Sequence, residues 1–112
     1  MARLIELDWP DYGAAARPEL PVEELRGRLE RARAAMAAEG WTHLVVYGDR
    51  EHFANLTWLT NFDPRFEEGL LVVGREGAPL LLTGNECMSY LRISPLYVGG
   101  ELRAERFQPF SL

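Results

Sequence analysis

The feature that most constrains this chain is a change of apolar period at Gly40. Upstream of it, Val22, Leu25, Leu29, Ala32 and Met36 recur at spacings of 3, 4, 3 and 4 residues, which lines them along one stripe of a 3.6-residue helix. Downstream, Thr42-His43-Leu44-Val45-Val46-Tyr47 is short, β-branched and mostly apolar, the pattern of a central strand covered on both faces. A helix with one buried face leading directly into a strand requires a layered α/β fold. The helix ends are chemically marked. Pro21 suits a first turn, where a missing N–H has no partner, Glu23 and Glu24 favour the positive end of the dipole, and Gly40 suits a left-handed stop. Gly27 inside the helix costs about 1 kcal/mol against alanine, which points to a close neighbour there.

After the strand, Asp49 is placed to cap a second helix over residues 50–59, with Phe53, Leu56 and Leu59 or Thr60 as its inner face. Two strand-like runs, 70–73 and 79–83, flank Gly74-Arg75-Glu76-Gly77-Ala78, which is turn chemistry for an antiparallel hairpin and makes the sheet mixed. Gly84-Asn85-Glu86 is placed to cap a short third helix reaching about residue 91, and a last strand is expected near residues 102–107. Residues 1–20, punctuated by Pro10, Gly13 and Pro18, read as an ordered arm, and residues 21–112 as one domain. The apolar side chains of Phe107, Phe110 and Leu112 are unusual at a terminus, which normally frays. They point to truncation before a further domain.

Composition narrows the function classes. Twelve arginines face 17 carboxylates, for a net charge of -5, so a phosphate-neutralising surface for nucleic acid is not expected. No apolar run approaches the ~20 residues of a membrane span. The single cysteine, Cys87, fits a reducing, cytoplasmic setting. No glycine-rich phosphate loop occurs.

Three groups of residues could carry chemistry. Asp49, Glu51 and His52 are metal-type donors, but Asp49 has a sufficient role as a cap, and adjacent helical residues point about 100° apart. Cys87 near a helix start could act as a nucleophile with His43 or His52, although free cysteine is most often a buried structural residue. In the loop 61–69, Phe62 and Phe66 alternate with ionic groups, and the planar guanidinium of Arg65 beside aromatic rings can grip a carboxylate. The alternative is that both rings fasten the loop to the core while Arg65 pairs with Glu67 or Glu68.

The order arm, amphipathic helix, THLVVYGDREHFANLTWLTNFDPRFEEGLLVV, hairpin and short helix resembles the N-terminal domain of the creatinase, prolidase and aminopeptidase P family. A family segment of the type Asn-x-x-Tyr-Leu-Thr-Gly-Phe is matched by Asn55-Leu56-Thr57-Trp58-Leu59-Thr60-Asn61-Phe62. Trp58 stands for the tyrosine and Asn61 for the glycine, and asparagine is the next best residue for a left-handed turn. The resemblance implies a mixed sheet flanked by helices, similar to a ribonuclease H fold. It further implies no catalytic residue, cofactor or metal ligand on this chain, since the divalent metal of such enzymes belongs to a separate pita-bread catalytic domain. The expected function is therefore a noncatalytic domain serving oligomerisation and substrate selection. Its expected partners are a pita-bread domain, a second subunit in a homodimer, and a peptide or guanidino-acid substrate. Phe62, Arg65, Trp58 and Asn61 are the expected contact residues. A free-standing binding or interaction module of the same fold is the alternative.

Overall fold

The computed structural model describes residues 1–16 and 18–111; Arg17, in the expected arm, and Leu112, at the end of the expected domain, lie outside the described residues. The described part of residues 1–20 forms no regular element. Helix α1 spans Val22–Glu39 and buries Leu25, Leu29 and Met36, with Val22 and Ala32 partly covered. It ends as its sequence demands: Gly40 is left-handed at φ 72°, and the N–H groups of Gly40 and Trp41 close on the carbonyls of Ala37 and Met36.

Gly27 has no close neighbour. A Cβ built there would meet only the Arg31 guanidinium, at 3.6 Å, so the glycine weakens α1 without serving contact. Gly27→Ala is expected to stabilise the chain by about 0.5–1 kcal/mol, read as a Tm higher by a few degrees in a thermal melt; an unchanged or lower Tm contradicts it.

Among the described residues four strands follow: β1 (His43–Gly48), β2 (Gly69–Gly74), β3 (Leu80–Thr83) and β4 (Arg103–Arg106). They lie in the order β1-β2-β3-β4, the first two pairings antiparallel and the last parallel. The sheet is thus mixed and flanked by helices, as expected. Strand β1, however, is an edge strand and not a central one. Its Leu44 and Val46 turn inward, while Val45 and Tyr47 are 57% and 47% exposed. Across the sheet, Leu71, Val73 and Leu81 join Leu25, Leu29, Met36, Leu56 and Leu59 in the core. The opposite face, with Leu70, Val72, Leu80 and Leu82 half-buried, carries the alternate side chains.

Helix α2 is shorter than expected, spanning Ala54–Thr60. Asp49 does cap backbone, but it caps a turn: its Oδ1 accepts the N–H groups of Glu51 (2.8 Å) and His52 (2.7 Å), and the helix begins only after Phe53. Phe53 is consequently exposed and not on the inner face, which is made by Leu56, Leu59 and Thr60. Leu56 sits against the sheet where Gly48 and Gly69 are directly paired. A Cβ on either glycine would come within 2.8 Å or 3.0 Å of Leu56 Cδ2, so two missing side chains let α2 settle onto the strands.

The third helix is a 3₁₀ helix, Glu86–Ile93, followed by a single turn, α3 (Pro95–Val98). Ser94 and Pro95 mark that turn: the serine Oγ accepts the Tyr97 N–H at 3.4 Å, and proline occupies the first helical position. A short 3₁₀ helix, Gln108–Phe110, ends the described chain, with Phe107 and Phe110 stacked edge to face at 4.7 Å.

Candidate functional site

The loop between α2 and β2 is held rigidly from both ends. Asn61 stops α2 in the left-handed conformation (φ 58°), and its side-chain amide donates to the Ile93 carbonyl at 3.0 Å. Thr57 Oγ1 donates to the Phe62 carbonyl (2.9 Å), while Thr60 Oγ1 donates to the Leu56 carbonyl (2.7 Å) and accepts the Phe62 N–H (3.0 Å). These bonds drive Phe62 into the core, where it is 0% exposed.

At the tip, Asp63 Oδ1 accepts the Arg65 N–H at 2.8 Å, and Arg65 itself adopts a left-handed backbone at φ 59°. A non-glycine residue in that region stores strain of roughly 1–3 kcal/mol, and such strain concentrates at functional loops. The guanidinium projects outward, with its side chain 56% exposed. It lies 5.8 Å from the Tyr90 ring centroid and 3.9 Å from Asp63 Oδ2, and not against Glu67 or Glu68. Arg50, Phe53, Asp63, Arg65 and Phe66 line a surface cleft of about 270 Å³. Two arginines and one aspartate line it together with two half-exposed rings, a net positive lining that suits a small anionic group.

Behind the tip the chain is anchored by Glu67, whose side chain is 2% exposed. Its carboxylate accepts the Cys87 N–H at 2.8 Å and the Glu86 N–H at 3.2 Å, at the start of the 3₁₀ helix. Burial opposes its ionisation, but hydrogen bonds from Glu86 and Cys87 prevail and hold the carboxyl below its usual value. Gly84 makes room for it, since a Cβ there would lie 2.5 Å from Glu67 Oε1.

The four expected contact residues do not converge. Phe62 is a core residue and cannot present a surface; for this ring the core-fastening alternative holds. Asn61 is occupied as a helix stop. Trp58 faces a different groove, its ring covered by Arg28 and Arg31 at 5.3 and 5.5 Å. Of the four, Arg65 alone lines the cleft at the loop tip, beside Arg50 and Phe53, which are not among the expected contacts. Arg50 carried one usable signal, its position directly after the Gly48-Asp49 turn.

Cys87 is not a nucleophile. It is fully buried, its thiol donates to the Pro64 carbonyl at 2.8 Å, and burial with the Glu67 carboxylate alongside pushes its pKa up to about 12. His43 and His52 are both exposed. Asp49 is engaged with the N–H groups of His52 and Glu51, which hold its carboxyl below the usual range. Among the described residues no three His, Cys, Asp or Glu side chains are grouped so as to hold a metal ion, and no helix is long and apolar enough to cross a membrane.

Comparison with known proteins agrees with this architecture. The dipeptidase PepE of Mycobacterium ulcerans has a similar fold, with a TM-score of 0.64 at 19% identity over 81% of this chain. The matched region is only 24% of that protein's length. No curated protein sequence matches the chain significantly. The model of the creatinase/prolidase N-terminal domain matches residues 28–97. That match takes in α1 from Arg28 onward, the edge strand, the Arg65 loop, the hairpin and most of α3, and the chain belongs to the creatinase/prolidase N-terminal domain family.

Proposed function

We propose that this chain is the noncatalytic N-terminal domain of a metal-dependent Xaa-Pro peptidase or creatinase-like hydrolase, serving oligomerisation and substrate selection. The observation that carries this reading is the Arg65 guanidinium, held at an exposed loop tip by a strained backbone and an Asp63 turn, in a cleft shared with Arg50, Phe53 and Phe66. A tip built in this way suits the recognition of a substrate carboxylate at an active site supplied by another domain or subunit. The donors on this chain suit other roles, since Asp49 accepts two backbone N–H groups and lies 3.3 Å from the His52 ring, and the Cys87 thiol donates to the Pro64 carbonyl. The divalent metal belongs to the partner catalytic domain, and the setting is cytoplasmic.

The test has two parts. The chain alone, given Xaa-Pro dipeptides or creatine with divalent metal, is expected to show no turnover; turnover overturns the noncatalytic reading. In the protein that joins this domain to a catalytic domain, Arg65→Ala is expected to raise KM roughly tenfold, the loss of one charge-assisted hydrogen bond. If KM and kcat both stay put, the loop is not a substrate contact.

A further inference from the structure

The two edges of the sheet are built differently. Strand β4 ends the sheet with Arg103, Glu105 and Arg106 exposed, charges that deter another strand from pairing. Strand β1, reading His43-Leu44-Val45-Val46-Tyr47-Gly48, carries no such guard along its open edge. Beside it runs a groove of about 380 Å³ with a mostly apolar lining, Ala32, Leu44, Val46, Trp58 and Leu59 with the polar Asn55 among them. An unguarded edge strand with an apolar groove alongside is the receptor half of a strand-addition site.

The chain also contains a fitting ligand. Residues 5–9 read Ile-Glu-Leu-Asp-Trp, a strict apolar and acidic alternation that places Ile5, Leu7 and Trp9 on one face of an extended strand. Pro10 ends the run. In the structure these three residues are 64%, 59% and 80% exposed. The arm stands clear of its own sheet: the radius of gyration is 18.4 Å and the longest extent 68 Å, against roughly 13 Å for the radius of a compact domain near this size.

We infer that the arm of one copy adds as a fifth strand to the β1 edge of a second copy, with Ile5, Leu7 and Trp9 in the groove and Glu6 and Asp8 facing water. Reciprocal exchange closes a two-fold dimer, because arm and edge occur once on each chain and satisfy each other in pairs. This goes beyond the substrate-selecting role of the Arg65 loop and does not depend on it.

The experiment is sedimentation equilibrium on the full chain and on Leu7→Asp, with amide hydrogen exchange on both. Leu7 is exposed within its own copy, so the variant should still fold, with a Tm lowered only by the lost association. The expected result is a wild-type dimer, at least roughly 100-fold weaker association in Leu7→Asp, and loss of exchange protection in residues 5–9 and 43–48 together. Leu7→Val should remain dimeric. The inference is overturned by a monomeric wild-type chain, including one whose residues 5–9 are protected by folding back onto their own sheet. A dimer that Leu7→Asp leaves intact also overturns it. A monomeric chain leaves the Arg65 reading standing, whereas an unchanged KM in Arg65→Ala removes that reading and leaves the dimer untouched.

Discussion

Phe62→Ala is expected to lower the stability of the chain by about 3–5 kcal/mol, the range for emptying a phenylalanine site in a packed core. The ring is fully buried and touches the space above Gly69, where its Cε1 lies 3.5 Å from a virtual Cβ. Two threonine hydroxyls fix its backbone from either side, so the loop cannot slide to fill the hole. A denaturant titration monitored by circular dichroism measures the loss. Phe62→Leu, which keeps much of the volume, should cost distinctly less. If Phe62→Ala instead melted like the wild type, the ring would not be a core residue, and its expected role as an exposed contact would return.

The second large effect belongs to Glu67. Glu67→Ala strips acceptors from the Glu86 and Cys87 N–H groups, and the buried Cys87 donor then has no partner. Two lost hydrogen bonds to a charged acceptor amount to about 3 kcal/mol. Gly84→Ala should act in the same direction, because its methyl group would occupy the carboxylate's place. The pH dependence has a definite sign. The folded pKa of Glu67 lies below its ordinary 4.5, so its stabilisation is complete above that value and drains away as pH falls through the folded pKa. Glu86, exposed beside it, leans the other way, since its hydrogen bond to Glu67 raises its pKa. Acid titration of wild type against Glu67→Gln checks this. The variant should lose part of the wild type's sensitivity below about pH 4.5, and parallel curves would show that Glu67 does not carry it.

What could be read without coordinates was whatever is decided locally. The stripe from Val22 to Met36, the left-handed stop at Gly40 and the turn between β2 and β3 each depend on residues a few positions apart, and all three stand where expected. The place of β1 could not be read in this way, because strand order is set by which distant segment pairs with it. Asp49 shows a subtler failure. Its side chain does what a cap does, but two captured N–H groups are as well satisfied by an isolated turn as by a helix, and only the later Ala54 start tells them apart. Ser94-Pro95 carries a local signal of the same kind, a capping serine before a proline at the first helical position. In the site, Arg65 stands exposed as its position on a polar loop suggests, whereas Glu67 looks like one more solvated loop charge until its partner Cys87, 20 residues on, is brought beside it.

The paired glycines under Leu56 have a consequence for the Arg65 cleft. One wall of that cleft, Arg50 and Phe53, enters α2 from the turn after Gly48, and the other, residues 63–66, leaves toward Gly69. Both walls are therefore hinged on the same closely seated helix. A methyl group at Gly48 would meet Leu56 Cδ2 at 2.8 Å and its Cβ at 3.1 Å, and so press on α2 from behind without touching any side chain that lines the cleft. The seating of the helix behind the Arg65 cleft rests on two hydrogen atoms in the floor of the molecule.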